Sequence, residues 1–200
     1  MEHKKEQTLT IIKPDGVQRG LIGEIIGRYE RIGLKLVGMK MLRPTRELIE
    51  KHYTIDPEWL RLVGEKLINN TKEKGGKLHS EVPEEIGRGI LGRLVDYMAA
   101  GPVIAMVWEG AHAVSIVRKL TGGTEPLSSD VGTIRGDFVL DSYQMSNDHK
   151  RAVRNLVHAS GSVKEAQDEI MHWFKPEELM KFSLVQEKIL YDVNLDGLAE

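Results

Sequence analysis

Apolar and polar positions divide the chain into short strands and amphipathic helices. Residues 8–12, Thr-Leu-Thr-Ile-Ile, are rich in β-branched side chains and stop at Lys13-Pro14-Asp15-Gly16, a turn signal. Over residues 21–32 the positions Leu21, Ile25, Tyr29 and Ile32 repeat at helical spacing, and Gly33 closes the helix. Residues 36–42, 103–108 and 138–140 read as further strands, the all-apolar 103–108 run as a buried one. Thr45 opens a short helix carrying His52 and Tyr53. Asp56-Pro57-Glu58 starts another, with Asp as N-cap and Pro at the first helical position, running to about Asn70. Residues 71–79 form a polar loop, and residues 84–100 a helix with Ile86, Ile90, Leu94 and Met98 on one side. A helix over 112–120 ends at Gly122-Gly123, and residues 124–136 lack periodicity. Ser162-Val163-Lys164-Glu165 is a capping box for a helix with the stripe Val163, Ala166, Ile170 and Trp173, which Pro176 ends. Residues 188–191 are strand-like.

Four strands separated by helices predict a two-layer α/β sandwich, with the helices between the second and third strands as an insertion. Periodicity leaves open whether the sheet is parallel. The length, 200 residues, suits one domain, and 40% hydrophobic residues supply a core without staples. The chain has no cysteine, which excludes disulfides, thiolate metal sites and cysteine catalysis. A net charge of −2 without charge blocks argues against a nucleic-acid arm or membrane anchor. The polar N-terminus and the short apolar runs predict a cytoplasmic protein.

Neither a P-loop motif nor Gly-x-Gly-x-x-Gly is present, and the seven histidines have no metal-ligand spacing, so no protein-held metal is expected. Three segments stand out: residues 13–20 (Lys-Pro-Asp-Gly-Val-Gln-Arg-Gly), residues 132–137 (Gly-Thr-Ile-Arg-Gly-Asp) and residues 155–162 (Asn-Leu-Val-His-Ala-Ser-Gly-Ser). Together they point to phosphoryl transfer, which needs positioning and charge stabilisation more than covalent work by the protein. Lys13, Arg118 and Arg135 are donors for phosphate oxygens, and the helix start at Ser162 favours anions. His158 is the best nucleophile, since imidazole with a pKa of about 6.5 is largely neutral at pH 7. A carboxylate on its other nitrogen would fix the tautomer and stabilise the cation formed on attack, and Glu169 is placed to do so. His3, His79, His112, His149 and His172 read as surface or locally bonded, and His52 as intermediate because it adjoins Tyr53. Trp108, Trp173 and Phe174 read as core.

These segments, in this order, resemble the nucleoside diphosphate kinase family. The likeness extends to Gly101-Pro102-Val103, to Trp108-Glu109-Gly110, to Arg118 six residues before Thr124, and to Glu169-Ile170 with Trp173-Phe174. It implies a ferredoxin-like fold, a four-stranded antiparallel sheet covered by helices, with insertions after Tyr53 and after Leu140. One domain over 1–200 is expected, with inserted segments at about 54–97 and 141–151 and a tail at 175–200. The implied reaction is ping-pong transfer, from a nucleoside triphosphate (mainly ATP) to a diphosphate, through phosphorylated His158. The resemblance makes Glu169 the orienting carboxylate, Tyr53 the hydroxyl near the histidine and Ser160 the serine beside it. Arg118, Thr124 and Arg135 bind phosphates, and Lys13 and Asn155 the sugar end. Magnesium arrives with the nucleotide. A homo-oligomer, a hexamer built on trimers, is implied through the contact loop at residues 121–131. The family's Asp between the two serines is Gly161 here, and its base-stacking Phe after the Tyr is missing, leaving Trp59 or a residue near Ile90 for that role. The rival expectations are a nucleotide-binding module with little catalysis, and histidine-linked phosphotransfer to proteins.

Overall fold

The computed structural model describes residues 5–73, 75–76, 78 and 80–196, and His3 and His79 lie outside them. β1 (Glu6–Ile12), β2 (Lys35–Leu42), β3 (Val103–Gly110) and β4 (Val157–Ala159) form an antiparallel sheet in the order β2-β3-β1-β4. β3 is apolar along its length because both faces are covered. Val103, Ala105 and Val107 enter one core, and Ile104, Met106 and Trp108 the other, the period-2 alternation of a strand.

Two helices, α2 (Ile22–Glu30) and α6 (Ala113–Thr121), cover one face through Ile25, Tyr29, Ala113 and Val117. With the four strands they make the ferredoxin-like unit β1-α2-β2-β3-α6-β4. The opposite face is covered by α3 (Arg46–Tyr53), α5 (Pro83–Ala99) and α9 (Val163–Trp173), which bury Ile49, Val95, Met98, Ile170 and Trp173. Trp108, Trp173 and Phe174 are core residues, as expected.

Helix α4 (Trp59–Glu73) lies against α5 closely enough for the backbones to meet. A Cβ on Gly64 would stand 1.9 Å from the Pro83 carbonyl oxygen, and one on Gly87 2.1 Å from that of Leu60. Only glycine fits at either crossing. The helix starts two residues later than Pro57, because Asp56 Oδ1 accepts from the Glu58 N–H at 2.9 Å and closes a turn first. It also extends past Asn70 into the expected loop.

Other expectations need correction. The turn at Lys13-Pro14 is a short helix, α1 (Pro14–Gln18), with proline in its first turn. Residues 138–140 are not the fourth strand. Phe138 ends α7 (Ile134–Phe138), whose N-cap Thr133 accepts from the Gly136 N–H at 3.0 Å, and the Phe138 ring lies 4.7 Å from the Arg28 guanidinium. The fourth strand is β4, whose three residues are too few for periodicity to register. Residues 141–151 contain α8 (Tyr143–Asp148), and the strand-like 188–191 stretch falls largely in α10 (Glu187–Leu190). No described helix is long and apolar enough to cross a membrane.

Candidate active site

The site is built where β1 ends beside the entry to β4. Ile12 pairs with Val157, and the Lys13 N–H donates to the Leu156 carbonyl at 2.7 Å. Leu156 has φ 62°, and the Val157 N–H reaches the Asn155 carbonyl at 2.7 Å, which makes a tight γ-turn of the positive-φ kind. A branched residue is strained there, and full burial of Leu156 in the core holds it in place. The turn brings Asn155 and His158 to one cavity of about 1150 Å³.

His158 Nε2 lies 2.8 Å from Glu169 Oε1, at an angle outside hydrogen-bond alignment, and is buried. Nε2 has no aligned hydrogen bond among the described residues, and the ring borders the cavity. Glu169 is 2% exposed, and burial raises its pKa. Its Oε2 accepts from Ser160 Oγ at 2.6 Å, while Ser160 Oγ accepts from the Leu9 N–H at 3.3 Å. Carboxylate, serine and β1 are thereby locked together behind the imidazole. Burial first, then Lys13, pulls the His158 pKa down to about 3 against the attraction of Glu165, so the ring is neutral at pH 7.

Lys13, Arg118 and Arg135 are among the basic residues that border the same cavity. Lys13 is buried, with its pKa lowered to about 7 by burial and then by Arg135, while Asp15 opposes the shift. Its Nζ donates to Asn155 Oδ1 at 2.7 Å, and Asn155 Nδ2 donates to the Thr124 carbonyl at 3.0 Å. Arg135 binds backbone carbonyls of Asn155, Gly122, Gly123 and Val157, which uses four of a guanidinium's five N–H groups. Arg118 makes no hydrogen bond or ion pair with a described side chain and is exposed. A desolvated lysine, a buried arginine and an exposed arginine together supply the positive charge and N–H donors that anion binding requires. The Tyr53 hydroxyl borders the cavity, buried and without a partner among the described residues. Burial, then Glu169, raises its pKa, so it remains a donor.

Helix α9 begins at Ser162, whose hydroxyl accepts from the Glu165 N–H at 3.1 Å. The Glu165 carboxylate reaches past the cap to the Gly161 N–H at 3.0 Å, and a Cβ on Gly161 would stand 2.5 Å from it. Trp59 and Ile90 both border the cavity, so each is available to cover a base.

The fold gathers eight of the nine candidate residues around the cavity, with Ser160 bonded to Glu169 behind them, and adds His52, which the sequence left intermediate. That ring is buried, edge-on to His158 at 4.5 Å between centroids, and its Nδ1 accepts from Trp173 Nε1 at 3.2 Å. His52, His158 and Glu169 hold ligand-type atoms within 4.8 Å of one another, a grouping with no sequence spacing to announce it. His172 is not local either, since its Nε2 meets the Leu48 carbonyl at 2.8 Å and ties α9 to α3, whereas His149 bonds to Met145 within its own turn. Tyr143, from α8, also borders the cavity and had no signal beyond lying in the extra stretch.

The family model described as nucleoside diphosphate kinase matches residues 6–59 and 55–179. A nucleoside diphosphate kinase of Pyrobaculum aerophilum is 48% identical over 180 residues, covering 88% of this chain and 98% of the relative. One from Acaryochloris marina is 43% identical over 187 residues, covering 94% and 99%. Among solved structures, an NDP kinase from Pyrobaculum aerophilum superposes with TM-score 0.85 at 46% identity, covering 88% of this chain and all of the other. A Borrelia burgdorferi nucleoside-diphosphate kinase with bound vanadate and ADP, a transition-state mimic, gives TM-score 0.73 at 37% identity, covering 92% and 95%.

Proposed function

The chain belongs to the nucleoside diphosphate kinase family, and on that premise we propose that His158 carries the phosphate between its two nucleotide substrates. The enzyme is a phosphotransferase that moves the terminal phosphate of a nucleoside triphosphate to a nucleoside diphosphate. One observation carries the assignment of His158: its neutral imidazole borders a cavity that Lys13, Arg118 and Arg135 also line.

The Nδ1 lone pair attacks the terminal phosphorus in line, the bond to the bridging oxygen breaks, and the diphosphate leaves with its electron pair. The second diphosphate reverses the step, its terminal oxygen attacking phosphorus while the electrons return to Nδ1. Glu169 stabilises the imidazolium character that develops, and Ser160 holds Glu169 in place. Arg118, Arg135, Thr124 and the Tyr53 hydroxyl bind the phosphate oxygens, and Lys13 and Asn155 act as a pair at the sugar end. Mg²⁺ is part of the substrate, a Mg-nucleotide, and offsets charge on the phosphates.

Incubation with γ-labelled ATP tests the assignment. Acid-labile, base-stable label is expected, chased into GTP by unlabelled GDP and lost in His158→Asn. Binding of ATP without label would move the chain to a regulatory nucleotide-binding role. The same reading includes a homo-oligomer, a hexamer built on trimers, and a cytoplasmic setting. Leu127 and Val131, 78% and 94% exposed in the 121–131 loop, support the oligomer.

A further inference from the structure

The second extra stretch of the chain borders the nucleotide cavity. Its anchor is Asp141, 6% exposed, whose carboxylate accepts from Arg151 at 2.7 and 3.0 Å and from the N–H groups of Arg154 and Ser142 at 2.7 and 2.9 Å. The first residue of α8, Tyr143, donates its own N–H to Glu125 Oε1 at 3.0 Å. Glu125 directly follows Thr124, so this bond sets the Tyr143 ring beside Thr124 in the cavity wall. The phenol and the Thr124 side chain are close neighbours there. Burial, then Glu125, raises its pKa, with Arg135 acting against them, so it stays protonated at neutral pH and remains a donor.

Resting on the reading of the site given above, we propose that Tyr143 is a further nucleotide-contacting residue, its hydroxyl donating to a phosphate oxygen of a bound nucleoside diphosphate beside Thr124 and Arg135. Arg135 has one N–H left after its four carbonyl bonds, so a phosphate seated there needs further donors. A phenol supplies one without adding a cation to a corner that already has several.

The test is direct titration of wild type, Tyr143→Phe and Thr124→Val with ADP and with adenosine, without turnover. Loss of a hydrogen bond to a charged acceptor predicts roughly tenfold weaker ADP binding by Tyr143→Phe. Adenosine affinity and melting temperature should stay at wild-type values. The ADP defect should persist when Tyr143→Phe is placed in the Thr124→Val background, because the phenol acts on the ligand and not only on Thr124. Unchanged ADP affinity, an equal loss for adenosine, or a defect that vanishes in the Thr124→Val background would each overturn the proposal. Binding is read without phosphoryl transfer, so the two readings fail separately. Wild type that takes no label from ATP removes the His158 assignment, while the ADP comparison still decides Tyr143.

Discussion

Lys13 is buried and His158 partly buried, both have lowered proton affinity, and the lowering has opposite uses. For His158 it keeps the nucleophile neutral well below the ordinary imidazole range. Single-turnover phosphorylation, measured by quench across pH 5 to 8, is therefore expected to show no loss of rate on acidification through 6.5, and an acid limb there would contradict the neutral ring. For Lys13, at about 7 in the free protein, an arriving phosphate favours the charged form. Nucleotide binding at pH 8 should then take up protons, visible by calorimetry in buffers of different ionisation enthalpy and lost in Lys13→Met. Five of the nine candidate residues (Lys13, Arg135, Asn155, His158 and Ser160) lie in three short segments with a chemical rationale, whereas Tyr53 and Thr124 were reached only through the family resemblance. His52 and Tyr143 were not legible, because their roles come from packing across 106 and 19 positions of chain respectively, which spacing cannot express.

The helices and central strands were readable from periodicity, and the elements missed outright, β4 and α7, share one cause: they are short. β4 has three residues and α7 five, so neither element completes two repeats of its own period. α7 exists because Thr133 caps it and Arg135 is drawn inward by four carbonyls, neither of which is a hydrophobic signal. The α4–α5 pair makes a sharper claim about energy. Gly64→Ala or Gly87→Ala must push two backbones apart, so each should cost about 1–3 kcal/mol in urea unfolding. Gly89→Ala is the control, because nothing lies within 4 Å of its Cβ direction and helix propensity favours the change. Equal stability of Gly64→Ala and wild type would contradict the close contact.

At the scale of the molecule, two histidines couple the fold to pH. His52 and His158 both have folded pKa values lowered to about 3, in each case first by burial. As pH falls below about 6.5 the unfolded chain takes up protons there and the folded one does not, so stability drops across the window down to about 3. Urea midpoints should fall between pH 7.5 and 5, and His52→Gln should flatten that slope. A flat wild-type profile would contradict the burial of neutral rings. Assembly is a separate question, to be settled by light scattering of wild type and Leu127→Glu. A smaller particle is expected for the variant if the 121–131 loop forms the subunit contact.

The bonds of Arg135 limit what mutation can do at that position. The guanidinium proposed to offer an N–H to a phosphate also fastens the 122–123 turn to both sides of the strained Leu156 turn. Lysine keeps the charge but has three donors on a single atom, and it cannot span four carbonyls on two segments. Selection on catalysis and selection on folding therefore act on one side chain. A lineage losing its need for the reaction would still be held to arginine at this position, and its persistence would not by itself mark an active enzyme.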